Sequence, residues 1–224
     1  MADQTFTDEE LFPKIHVITD DEFRVGVLIS GSGTNLQALI DAFAAGVIDG
    51  QVVVVISNKY DAFGLVRAKR AGIPTELVDP ARFRSIEEYN HAITEVLLRY
   101  EVSLVVMAGY MRLLGQEVLS AFEGKVMNLH PALLPAFPGA SAIRDAFEYG
   151  VKVTGVTVHF ADEAFDRGPI ICQEAVRVEE DDTVATLEAK IHEVEHRLLV
   201  EAVKLFSQGR LEIVGRKVKV LPES

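Results

Sequence analysis

The sequence predicts an α/β protein: a mostly parallel, Rossmann-like sheet with helices on both faces and an antiparallel C-terminal extension. Two observations predict it. From Arg24 onward, short apolar runs alternate with helical periods, the pattern of a parallel sheet covered on both sides. After Pro135 the pattern changes to two longer alternating segments, Lys152–Phe160 and Pro169–Val178, which read as an antiparallel pair.

The elements follow in order. Arg24–Ile29 is apolar and reads as a buried strand. Ser30-Gly31-Ser32-Gly33-Thr34-Asn35 follows it, then an amphipathic helix from about Asn35 to Ala45 that stops near Gly46. Val52–Ile56 is a second strand, Gly64–Ala71 a helix ending at Gly72, and Thr75–Val78 a short strand. Ile86–Tyr100 has helical spacing that puts Tyr89, Ile93, Val96 and Leu97 on one face. Ser103–Met107 and Lys125–Met127 are further apolar strands. Ala140–Tyr149 is a helix ended by Gly150, Val184–Ser207 is the last long helix, and Leu211–Leu221 reads as a terminal strand or hairpin.

Residues 23–224 are expected to form one domain. Residues 1–22, acidic and without a sustained period, are expected to be a flexible N-terminal extension, with Phe12 to Ile18 docked. About half of the 224 residues are apolar, enough for a substantial core. The net charge of -12 and a pI near 5.0 argue against a general nucleic-acid or anionic-membrane binder. Cys172 is the single cysteine, so no internal disulfide forms. No apolar run approaches the roughly 20 residues that span a bilayer. A cytoplasmic protein, monomer or homodimer, is expected.

The chemistry centres on Asn128-Leu129-His130-Pro131, followed by Ala132 to Pro135. Alternation along an extended chain sends Asn128 and His130 to the same side. Histidine exchanges a proton near neutral pH, and asparagine offers an uncharged donor and acceptor. Pro131 and Pro135 stiffen the following turn. Downstream, Asp162-Glu163-Ala164-Phe165-Asp166-Arg167-Gly168-Pro169 joins the two late strands. Asp166 is placed to orient His130 and raise its pKa. His159, on the strand entering this loop, reads first as a hydrogen-bonded core histidine.

Gly31 to Asn35, between a strand and a helix, suits an anion, because glycines allow close approach and a helix N-terminus presents free N–H groups. Leu36 stands where a dinucleotide fingerprint has its third glycine, and no Gly-Lys-Ser/Thr follows. A single phosphate therefore fits better than NAD or ATP, while a plain tight turn with a cap at Thr34 or Asn35 fits equally well. His192-Glu193-Val194-Glu195-His196 matches the H-E-x-x-H zinc pattern, but no third ligand is evident downstream. A polar helix face, or a substrate contact from Glu195, is the better reading, and no metal is expected.

Taken together, Gly31–Asn35, Ala108-Gly109-Tyr110-Met111-Arg112-Leu113-Leu114, Asn128–Pro135 and Gly155–Pro169 resemble the phosphoribosylglycinamide formyltransferases, over about Arg24 to Gly209. The resemblance implies the formyltransferase fold and formyl transfer from 10-formyltetrahydrofolate, as co-substrate, to the amine of glycinamide ribonucleotide in purine synthesis. It implies a phosphate- and nucleotide-binding N-terminal half and a folate-binding C-terminal half. By it, Asn128, His130 and Asp166 match the catalytic trio. Gly33, Thr34 and Asn35 match the substrate phosphate loop, and Glu195 a residue contacting the glycinamide substrate. Met111, Arg112, Leu113 and Leu114 match part of the folate pocket, with the Ala161–Asp166 loop, including Asp162, closing on the pterin. Asn128 and protonated His130 are expected to stabilise the oxyanion.

Two positions in the matched region depart from the family pattern. Ser141 stands where many members carry His, and Ile86 where many carry Arg, with Arg82 and Arg84 close by. The competing readings are a formyltetrahydrofolate hydrolase and a non-catalytic folate or nucleotide sensor. Hydrolases typically add an N-terminal regulatory domain and carry His-His where this chain has His130-Pro131.

Overall fold

A computed structural model describes residues 15–16, 22–163 and 166–223, residues 15–16 by their backbone. The expected N-terminal extension lies almost wholly outside the described residues; its Ile15–His16 form a two-residue strand, β1.

The remaining strands are β2 (Arg24–Ile29), β3 (Gln51–Ser57), β4 (Thr75–Leu77), β5 (Leu104–Met107), β6 (Val126–His130), β7 (Val153–Phe160), β8 (Ile170–Arg177), β9 (Leu211–Val214) and β10 (Lys217–Val220). They form one sheet of ten strands in the order β1-β9-β10-β8-β7-β6-β5-β2-β3-β4. The pairs among β4, β3, β2, β5 and β6 are all parallel. From β6 through β7 to β8 they are antiparallel, as the change of pattern after Pro135 predicts. Leu211–Leu221 resolves into the antiparallel β9–β10 pair, turned at Gly215.

The helices are α1 (Thr34–Ala44), α2 (Phe63–Arg70), α3 (Ile86–Arg99), α4 (Gln116–Ala121), α5 (Ala142–Tyr149) and α6 (Val184–Ser207). α4, and a single 3-10 turn at Pro80–Arg82, are absent from the sequence reading. Each is too short to show a helical period.

Strand alternation sorts the core into two layers. Val25, Val27 and Ile29 of β2 and Leu104 and Val106 of β5 pack with α1 and α6, including Leu36, Leu39, Leu199 and Phe206. Leu28, Val105 and Met107 face the other way, onto Tyr89, Ile93 and Leu97 of α3 and Val118 of α4. Tyr89, Ile93, Val96 and Leu97 are all buried, as the spacing of α3 predicts.

The long α6 starts at Thr183, whose hydroxyl accepts from Thr186 N while the Thr186 side chain returns the contact to Thr183 N. β2 lies between β3 and β5, so chain order reverses there. The loops leaving β2 and β5 thereby open a crevice at the carboxyl ends of the strands.

One boundary differs from expectation in a way that matters. Lys125–Met127 reads from sequence as the whole strand, with Asn128 and His130 beyond its end. Instead β6 runs to His130, because β7 pairs with it residue by residue: Asn128 faces His159, and His130 faces Thr157. A polar residue inside a strand hides that strand from an apolar-run reading.

Candidate active site

β6 sets the centre of the site. Met127 and Leu129 point into the α1–α6 layer, and Val126 into the other. Asn128 and His130, two and four residues on from Val126, therefore share its side of the sheet. The turn after His130 is clamped from β7 and β8. Thr157 Oγ1 donates to Ala132 O at 2.6 Å and accepts from Leu134 N at 3.1 Å. Gln173 Nε2 donates to Leu134 O at 2.9 Å. The Leu134–Pro135 peptide is cis.

Asp166, at φ 52°, brings its buried carboxylate back to this strand from the β7–β8 connection. Its Oδ2 accepts from Gly139 N at 3.0 Å and lies 3.4 Å from His130 Nδ1. Its Oδ1 accepts from Asn128 Nδ2 at 3.3 Å. Burial alone pushes the carboxyl pKa up; the His159 ring, the Gly139 N–H and the charge of His130 outweigh it and hold the group below the usual carboxylate range.

On its other side, His130 Nε2 lies 2.8 Å from Phe137 O. A carbonyl and a carboxylate only accept, so the ring donates to both at once only with a hydrogen on each nitrogen.

His159 is, as the sequence reading expects, a hydrogen-bonded core histidine. It is buried, and its Nε2 lies 3.1 Å from Asn128 Nδ2. Its Nδ1 donates to Phe160 O at 2.9 Å, while Nε2 faces both the Asn128 amide and, at 3.8 Å, Asp166 Oδ1. The alternating spacing that pairs Asn128 with His130 also places His159 off the apolar face of β7, and that signal was available. The roles of Phe137 O and Gly139 N are backbone contacts that no side-chain pattern reveals.

Around this centre lie three connected clefts. The largest, about 440 Å³, is lined by Gly33, Thr34, Asn35 and Glu195, the four residues matched to the ribonucleotide, together with Ser141 and Arg144. The second, about 290 Å³, joins Met111, Arg112 and Leu113 to Asn128, His130 and Asp166. A third takes in Leu114, Ala161 and Asp162 beside Asn128 and His159. All the matched residues thus line one crevice, with the trio where its compartments meet.

Each wall is tied to the scaffold. Gly33 caps α1 at φ 70° without a side-chain cap, so neither Thr34 nor Asn35 caps it. Ser30 Oγ donates to Asn58 Oδ1 at 2.7 Å and accepts from Met111 N at 2.9 Å, joining the glycine loop to the loop after β5. That second loop is held to α3. Gly115 N donates to Asn90 Oδ1 at 2.7 Å, the Tyr89 and Tyr110 hydroxyls touch, and the Arg112 guanidinium lies 5.3 Å over the Tyr89 ring. Met111 and Leu113 are left largely exposed, 60% and 59%, as an apolar wall without a covering group among the described residues. Ile86 is half exposed at the start of α3, and Arg82 turns to Asp79 at 3.9 Å.

His192 and His196 do share a face of α6, their rings stacked at 6.4 Å. His192, however, lies between Glu195, 2.7 Å away, and Glu188, 3.6 Å away. Among the described residues no group of three or more side chains is placed to hold a metal. None of the described helices is long and apolar enough to cross a membrane.

Known proteins resemble this chain in sequence and fold. The family described as formyl transferase matches residues 23–203. Phosphoribosylglycinamide formyltransferase of Bacillus subtilis is 40% identical over 81% of this chain and 93% of its own length. The trifunctional purine biosynthetic protein adenosine-3 of Gallus gallus is 44% identical over 88% of this chain, which spans only 20% of that longer protein. The crystal structure of glycinamide ribonucleotide transformylase 1 from Symbiobacterium toebii superposes with a TM-score of 0.88 at 52% identity, over 90% of this chain and 95% of that one. With the trio, the glycine loop and the fold in place, the chain belongs to the formyl transferase family, among its phosphoribosylglycinamide formyltransferases.

Proposed function

We propose that this protein transfers the formyl group of 10-formyltetrahydrofolate to the amine of glycinamide ribonucleotide, giving formylglycinamide ribonucleotide and tetrahydrofolate in cytoplasmic purine synthesis. One observation carries the reading: Asn128, His130 and Asp166 line a cleft walled by exposed apolar side chains, and that cleft shares Gly109, Leu129 and Pro131 with the one walled by the glycine loop. The glycine loop suits a phosphate and the apolar wall suits a pterin. The trio lies next to the shared residues, where amine and formyl group would meet.

The chemistry asks little beyond placement and charge. The amine nitrogen attacks the formyl carbon, and the carbonyl electrons move to oxygen. The tetrahedral intermediate then collapses: the bond from carbon to N10 of the folate breaks, N10 takes a proton, and the new amide nitrogen loses one. His130, as imidazolium, and Asn128 Nδ2 are the donors for the oxyanion. Both face acceptors of the protein itself. The long contacts are those to Asp166, at 3.3 and 3.4 Å, against 2.8 Å from His130 to Phe137 O. Substrate binding exchanges the Asp166 contacts first, and such contacts tighten onto the reacting atoms in the complex. Asp166 remains nearby as the counter-charge of the imidazolium, and Phe137 O keeps the ring oriented.

The test is a formyl-transfer assay with glycinamide ribonucleotide and 10-formyltetrahydrofolate, beside a control lacking the acceptor. Formylated product, lost in His130→Ala, supports the reading. Formate released at the same rate without acceptor means a hydrolase. Folate binding with neither product means a sensor.

A further inference from the structure

On α6, Glu195 is buried, 4% exposed, at the floor of the larger cleft. Its Oε2 accepts from two sides: Asn35 Nδ2 of α1 at 3.1 Å and His192 Nδ1 at 2.7 Å. The other ring nitrogen of His192 lies 3.6 Å from Glu188 Oε1. The contact to Glu195 is a hydrogen bond; that to Glu188, too long for one, is an ion-pair distance, so both carboxylates favour the charged ring. Glu188, His192 and Glu195 all line the cleft, and so does Arg144 of α5.

We infer that His192 is a positioning residue of this cleft: as an imidazolium it clamps Glu195 against Asn35 and offsets the two α6 carboxylates where an anionic ribonucleotide must bind. The inference rests on the ribonucleotide reading proposed above.

The charges decide the direction. With His192 protonated, Glu188, Glu195, His192 and Arg144 sum to zero. With His192 neutral the same wall carries one net negative charge and repels a phosphomonoester. The groups around the ring are the two carboxylates and His196 on α6, Asn35 from α1 and Arg144 from across the cleft. His196 is held below its usual 6.5 by burial first, and Arg67 of α2 adds to the lowering. The charge of His192 lowers it as well, while Glu195 works the other way. The hydrogen bond to Glu195 in turn raises the pKa of His192 above 6.5, despite its partial burial. Affinity for the ribonucleotide is therefore full at low pH and falls as pH rises through that raised value.

The experiment measures KM for glycinamide ribonucleotide between about pH 6 and 9 in the wild type, His192→Gln and His192→Ala. Gln keeps a donor for Glu195 but does not titrate. The wild-type KM is expected to rise roughly tenfold more across the series than that of His192→Gln. His192→Ala, lacking donor and charge alike, is expected to show the highest KM at low pH, with Gln restoring part of the loss. Titration of the substrate's own amine and phosphate is common to all three proteins and cancels in the ratio. Parallel KM curves in the wild type and His192→Gln would overturn the inference. Calorimetric binding of ribose 5-phosphate in the same pH series carries the test if no formyl group is transferred. Affinity that falls with pH in the wild type alone would support the clamp. Equal pH dependence in the wild type and His192→Gln, or no binding, would overturn it.

Discussion

His159 stands opposite Asn128 across the β6–β7 pair, and its Nε2 is 3.1 Å from the Asn128 amide nitrogen. The contact fixes which end of the amide points inward. A flip would set the amide oxygen against the Asp166 carboxylate, two acceptors face to face. His159 thus orients Asn128 without needing to touch a substrate. His159→Phe keeps a ring in the strand and removes the nitrogen that meets the amide. It is expected to lower kcat about five- to tenfold, the worth of roughly one net hydrogen bond. Steady-state kinetics beside a melting curve separate this from misfolding. An unchanged kcat in a folded variant would remove His159 from the site.

Asn128 itself carries a larger share. A pre-positioned donor to an oxyanion is worth on the order of 2.7–4 kcal/mol. Asn128→Ala is expected to lower kcat at least about a hundredfold. The cost to stability should be modest, because the residue lies at the cleft wall rather than within either apolar layer. Near-wild-type turnover in this variant would end the oxyanion assignment.

The sequence carried the parallel half of the sheet because its strands are buried on both faces and read as unbroken apolar runs, as at Val52–Ile56. It also carried α6 to the residue, since a helix of that length displays several turns of its period. It missed the last residues of β6 for the reason that makes them functional: Asn128 and His130 interrupt the apolar run. It read His159 as a hydrogen-bonded core residue, which it is, but not its partner Asn128, because that pairing depends on strand register, a relation between segments 31 residues apart. The Phe137 carbonyl on His130 was beyond reach, since a backbone atom leaves no mark in residue type.

Acid should act on the site through Asp166. Its folded pKa lies below the ordinary value, so the unfolded chain takes up this proton first as pH falls. The contribution to stability is therefore present above the unfolded value of about 3.9 and is lost as pH drops through the lower, folded value. Melting temperatures from pH 6 to 3 should fall more steeply in the wild type than in Asp166→Asn, with the two slopes equal above about pH 5. The same variant should lose formyl transfer at neutral pH, because a neutral amide cannot serve as counter-charge to the imidazolium. Equal slopes over the whole range would mean that the carboxylate does not stabilise the fold as an ion.

The glycine loop serves two purposes that substitution can part. A Cβ on Gly33 would lie 2.6 Å from Gly64 Cα, and its φ of 70° is in the left-handed region. Gly33→Ala should therefore destabilise the protein by about 1–3 kcal/mol whatever the loop binds, so it says little about a phosphate. Gly31 is different. A Cβ there meets no atom within 4 Å, and its φ lies outside the left-handed region, while the residue still lines the ribonucleotide cleft. Gly31→Ala should leave the melting temperature within a degree or two, roughly the scatter of a neutral surface change. If the loop holds the phosphate by close backbone approach, the added methyl should raise KM for glycinamide ribonucleotide several-fold and leave KM for 10-formyltetrahydrofolate alone. An unchanged ribonucleotide KM would mean that the glycines serve the turn and the Gly33–Gly64 packing only, and the phosphate would then have to be sought nearer Arg144.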